Sequence, residues 1–146
     1  MAERTEREVL HHLIEICSDG ERGFHAAADH VEDPAVKSLF IELAAQRQRF
    51  AADLVPHLQR LGGRADGDGT TGGALHRRWI GFRSLVPGHG DHTIVTEAGR
   101  GEHIALNAYD EALQGMLPPT VTSLIEEQRE AVRKANDRVR ALDAGR

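Results

Sequence analysis

"RGEHIALNAYDEAL", residues 100–113, decides how this chain is to be read. Its alanines, leucines and single tyrosine recur at steps of three and four, which line one face of a helix. Glu102 falls on that same face, directly after Gly101, four residues after Ala98 and one heptad before Tyr109. The earlier stretch "DGERGFHAAA", residues 19–28, does the same with Gly20 and Glu21, the glutamate sitting between Cys17 and Phe24. A carboxylate aimed at its own core is too costly to stay charged alone. It must find partners or take a proton.

Working outward, the chain has 146 residues, of which 40% are hydrophobic and 28% charged. That length suits one domain, residues 1–146, able to bury a sizeable core. Alanine, leucine, glutamate and arginine dominate, and aromatics are only 4%, so the composition points to helices. A net charge of -5 argues against nucleic acid as a partner. The lone cysteine, Cys17, rules out an internal disulfide and a thiolate metal cluster. The charged start "MAERTEREV" lacks the apolar stretch of a signal peptide, and no apolar run has the length of a membrane span. A cytoplasmic protein is expected.

Four long helices follow from the apolar spacing. The first is predicted over about 5–31, opened by a capping box of Thr5 with Glu8 and striped by Val9 or Leu10, Leu13, Cys17, Phe24, Ala28 and Val31. The second is predicted over 34–61, with Asp33 as cap, Pro34 at its first position and a stop at Gly62-Gly63. Pro56, inside it, should bend or open the helix. The third and fourth are predicted over 92–115 and 119–142. Between the second and third lies a long link containing "GGRADGDGTTGG" and a short amphipathic helix at 74–86 with Trp79 and Phe82 on its apolar side. Such a link can run the length of a bundle, whereas short links make antiparallel neighbours. The short helix is expected to cap the bundle rather than to touch lipid.

An internal repeat agrees with two helical hairpins. "DPAVKSLFIE" (33–42) matches "PPTVTSLIEE" (118–127) with Pro34 aligned to Pro119, an offset of 85, and Gly20-Glu21 matches Gly101-Glu102 at an offset of 81. Each helix also interrupts its apolar seam with a polar residue at similar height: Glu21, then Gln46 or Arg47, then Glu102, then Gln128.

These residues carry a family resemblance. Glu102 followed by Tyr109 on the third of four helices resembles the ferritin-like superfamily. Taken with "LIEICSDGERGFHAAADHV", "ALHRRWIGF" and "RGEHIALNAYDEAL" in this order, the chain is similar to a bacterial ferritin-like four-helix-bundle family of unknown function, over about residues 8–142. The resemblance implies an all-α ferritin-like bundle with a long 2–3 crossover. In that superfamily helices 1 and 3 each give a glutamate to a di-iron site, and helices 2 and 4 each give a Glu-x-x-His pair. Glu21 and Glu102 match the first half of that set. The second half is missing, because helix 2 shows "AAQRQRF" and helix 4 "EEQREAV". Gln46 with Arg49, or Gln128 with Ala131, cannot replace carboxylate–imidazole pairs as iron ligands.

Two functional expectations follow. The first is a non-catalytic bundle with an incomplete di-metal site, no cofactor, and a role in homo-oligomer assembly or protein-partner binding. The alternative is an iron- or manganese-binding or oxidase protein with a reduced site on Glu21 and Glu102, neighboured by Gln46, Arg49, Tyr109 and Gln128. Other polar groupings read as surface features. Glu21, His25 and Asp29 form an i, i+4 row typical of a solvated helix edge. His11, His12 and Glu15 repeat the theme. His89, Asp91 and His92 could bind a metal, but Asp91 is better explained as the cap of helix 3. Cys17 reads as a small buried hydrophobe, and the alternating charges of helix 4 as a solvated face.

Overall fold

The computed structural model describes residues 4–63 and 90–144. Four helices account for nearly all of them: α1 (Glu6–His30), α2 (Pro34–Arg60), α3 (Asp91–Ala112) and α4 (Pro119–Ala144). The described residues are all-α. The short helix expected at 74–86, with Trp79 and Phe82, and also His89 lie outside the described residues.

Local signals set the helix ends. Thr5 and Glu8 form the reciprocal capping box, with bonds of 3.1 Å from the Glu8 N–H and 3.2 Å from the Thr5 N–H. Asp33 accepts from the Ala35 N–H at 2.9 Å, ahead of Pro34 at the first helical position. At the far end of α2, Gly62 takes a left-handed φ of 80°. Its N–H bonds Gln59 O at 2.9 Å while Gly63 N–H bonds Leu58 O at 3.0 Å, the paired closure of a Schellman turn. Pro56 does not end the helix, which continues to Arg60. The carbonyl that proline leaves without a donor belongs to Ala52, an exposed residue, where water can take the bond.

The topology follows from contacts at the two ends. The link from α1 to α2 is three residues long, so these helices pack as an antiparallel hairpin, and Arg60 at the end of α2 comes back to within 3.9 Å of Glu6 at the start of α1. Asp91, the first residue of α3, meets the α1–α2 turn instead: its Oδ1 and Oδ2 accept the N–H groups of Glu32 and Asp33, both at 2.9 Å. The expectation that Asp91 caps its own helix is thereby corrected. Gly90 holds the cap position without a side-chain bond, and Asp91 spends both oxygens tying α3 to the turn. Consequently α3 runs antiparallel to α1 and parallel to α2, and the chain between Arg60 and Asp91 joins opposite ends of the bundle. At 27 residues, α2 spans about 40 Å.

The core is one continuous cluster that includes Leu10, Leu13, Cys17, Phe24, Phe40, Leu43, Leu54, Leu58, Ile94, Ala98, Tyr109, Ile125 and Val132. Phe24 and Phe40 meet at a centroid distance of 5.7 Å, tilted by 37°, a geometry favoured by aromatic pairs. Among the described residues no helix is long and apolar enough to cross a membrane.

Candidate functional site: a buried polar layer

The seam of α3 turns Glu102 fully into the core, at 0% exposure. Its partner comes from α2. Arg47, 1% exposed, donates from Nη1 to Glu102 Oε1 at 2.5 Å and from Nη2 to Oε2 at 2.6 Å. This fork-on-fork geometry suits the planar guanidinium and satisfies both carboxylate oxygens at once. Arg47 Nε donates to Gln46 Oε1 at 3.2 Å, and the guanidinium carbon lies 5.4 Å from the centre of the Phe24 ring on α1. Burial opposes the charge on Arg47, but the adjacent, hydrogen-bonded Glu102 carboxylate more than offsets it and raises the guanidinium pKa.

A second set of bonds crosses the same core. Tyr109 on α3 donates its hydroxyl hydrogen to Gln128 Oε1 on α4 at 2.7 Å. Gln128 Nε2 donates to the Phe50 carbonyl of α2 at 3.3 Å. Cys17 Sγ on α1 stands 3.1 Å from the Tyr109 oxygen. Because the tyrosine's one hydrogen goes to Gln128, the thiol donates and the phenol oxygen accepts. One chain of bonds therefore links all four helices. Burial pushes the Cys17 thiol up to about 11 and lifts the Tyr109 phenol well above its ordinary range. Both groups are neutral at physiological pH, and neither is prepared as a nucleophile or base.

The expected residues divide cleanly. Glu102, Tyr109 and Gln128 are brought into the layer, though Gln128 serves Tyr109 rather than a glutamate. Glu21 is not: its side chain is 27% exposed and turns toward His25, 3.9 Å away. The inward position belongs to its neighbour Gly20, where an added Cβ would stand 3.5 Å from Arg47 Cγ. The arginine side chain packs over that position and leaves room for no more than a small residue, so the glycine, not the glutamate, faces the seam. Arg49 is exposed, correcting its placement beside the site. On a helix advancing about 100° per residue, position 47 continues the line of Leu43 and Ala44 whereas 49 falls on the outer face. Arg47 was visible in the sequence only as an alternative to Gln46, because period alone does not separate adjacent positions at the edge of a stripe.

Outside the layer most charges pair at the surface, but Glu15 and Asp19 of α1 are buried, at 3% and 2% exposure, which corrects the surface reading of the His11, His12 and Glu15 grouping. His11 approaches Glu15 at 2.8 Å, Arg129 bonds Asp110 at 2.7 Å, and Arg133 joins Glu130 to Asp137. Arg138 of α4 pairs with Glu42 of α2, whose carboxyl this hydrogen bond holds below its usual range.

The layer does not fit the di-metal centre of the resemblance. Both oxygens of Glu102 are engaged by a cation that is part of the chain, Glu21 stands aside, and the Oε1 atoms of Gln46 and Gln128 accept from Arg47 and Tyr109. A divalent ion beside Glu102 would have to displace or repel the guanidinium. Among the described residues no cluster of three or more His, Cys, Asp and Glu is placed to hold a metal.

What these features define, among the described residues, is an all-α arrangement of four helices organised around a buried arginine–glutamate pair. The chain belongs to the DUF2383 family, a domain of unknown function, which matches residues 5–115. The match thus takes in α1 to α3 and stops before α4. No curated protein matches the chain.

Proposed function

We propose that this chain is a non-catalytic ferritin-like bundle, a cytoplasmic protein that works through assembly or partner binding, in which Arg47 supplies the positive charge that metals supply elsewhere in that superfamily. The single-crossover topology and the two proline-started second helices support the fold assignment. In the first turns of α2 and α4, Lys37 N–H bonds Asp33 O and Thr122 N–H bonds Pro118 O, both at 2.9 Å, in keeping with the offset of 85 between the hairpins. In the polar layer the offset is 81 instead: it carries Gly20-Glu21 to Gly101-Glu102 and Arg47 to Gln128.

The observation that carries the reading is the two-pronged bond between Arg47 and Glu102. It neutralises the buried carboxylate and occupies the oxygens through which a metal would bind. Metal analysis of untagged protein, followed by aerobic addition of Fe(II), tests it. The expected result is metal well below one ion per chain and iron oxidation no faster than in buffer. Stoichiometric iron or manganese that survives gel filtration and disappears in the Glu21→Gln/Glu102→Gln variant would instead establish a reduced metal site on those glutamates.

A further inference from the structure

The outer seam between α3 and α4 holds a groove of about 480 Å³, distinct from the buried layer. Arg100 and His103 reach it from α3, and Asn136 and Arg140 from α4. Among the described residues no Asp or Glu lines it, in a chain whose net charge is -5. Two arginines and a histidine gathered on an acidic protein, with an acid only beside Arg100, create a local field that draws anions. The groove also has a polar floor. Asn136 is only 6% exposed yet borders the groove, so a polar residue lies below its rim. Gly99 leaves the α3 backbone uncovered beside it: a Cβ there would meet only Val139 Cγ1, at 3.9 Å.

Among the described residues Arg100 pairs with Glu97 at 3.4 Å, with side chains 69% and 35% exposed. Exposed pairs of this kind contribute little, so the guanidinium is free to turn into the groove. Two arginines on facing helices, each able to present parallel N–H donors, match the tetrahedral oxygens of a phosphate. The volume lies within the ordinary range for small-molecule sites, about 300–1,000 Å³.

We propose that the α3–α4 groove binds a small molecule through its phosphate group, with Arg100 and Arg140 clamping the phosphate from two helices, His103 at the wall and the Asn136 amide at the floor. This site is independent of the scaffold reading, and neither stands or falls with the other.

The test is an amide chemical-shift titration of the full chain with sodium phosphate, set against sodium chloride at matched ionic strength. Saturable shifts centred on residues 96–104 and 136–140 are expected. Arg100→Gln and Arg140→Gln should each weaken binding about tenfold, with thermal midpoints unchanged because both side chains are exposed. Asn136→Ala should weaken it while leaving the arginine resonances responsive. Shifts that fail to saturate, or equal affinity in the Arg100→Gln/Arg140→Gln variant, would overturn the site. Equal binding of acetate would overturn the assignment to phosphate.

Discussion

Arg47 and Glu102 face each other across the α2–α3 interface through two parallel N–H···O bonds of 2.5 and 2.6 Å, with neither side chain reaching solvent. Breaking such a pair leaves an unmatched charge in the core, whereas removing both partners does not. Arg47→Met and Glu102→Leu should each cost about 3–5 kcal/mol, and the double variant should recover most of that loss. Urea unfolding of the four proteins measures the cycle. A Glu102→Leu protein as stable as the parent would show that the charge on Arg47 is matched by some other group.

Gly20 faces the same arginine from α1. Its added Cβ would sit 3.5 Å from Arg47 Cγ and 3.6 Å from Nη1, ordinary contact distances. Gly20→Ala should therefore raise stability by up to about 1 kcal/mol through helix propensity, while Gly20→Leu should lower it by pushing the guanidinium off Glu102. Thermal melts of both variants decide. Destabilisation by alanine would mean that the seam at Gly20 is closed more tightly than these distances indicate.

Cys17 makes stability depend on alkaline pH. Its folded-state pKa of about 11 lies above the ordinary 9.0 because of burial, so the unfolded chain releases this proton first. The contribution is complete below pH 9 and is lost as pH rises toward 11, on the order of 2–3 kcal/mol. Tyr109, shifted in the same direction, steepens the fall above its own ordinary value of 10.0. Unfolding free energies measured from pH 8 to 11 should decline, and Cys17→Ala should flatten the first part of the curve. The buried thiol should also react with a thiol reagent only as fast as the protein opens. Rapid labelling of the native protein at pH 8 would contradict the burial.

How much of this was legible in advance depends on which residues one follows. The buried face of α1 follows the apolar stripe of its sequence, since Leu13, Cys17 and Phe24 are fully enclosed, but burial is wider than the stripe and takes in Glu15 and Asp19 as well. The caps at Thr5 and Asp33 act as their residue types and spacing predict. Glu102 was legible as a carboxylate on a buried face. Glu21, placed by the same period and the same preceding glycine, was misread. A helix turns about 100° per residue, so residues 20 and 21 straddle the seam equally well, and only the bulk of Arg47 opposite selects the glycine. Asp91 was misread because capping propensity is local, whereas the amide groups it actually serves belong to a turn 58 and 59 residues away.

The sequence by itself determined the four long helices, the caps of the first two and the fact that a carboxylate must be buried, because propensity, periodicity and desolvation act along a short stretch of chain. Which partner meets that carboxylate was decided only by tertiary structure. The choice between Gln46 and Arg47, the inward turn of Gly20 and the line from Cys17 through Tyr109 to Gln128 all depend on how four helices are rotated against one another. That rotation is set by packing the whole core at once.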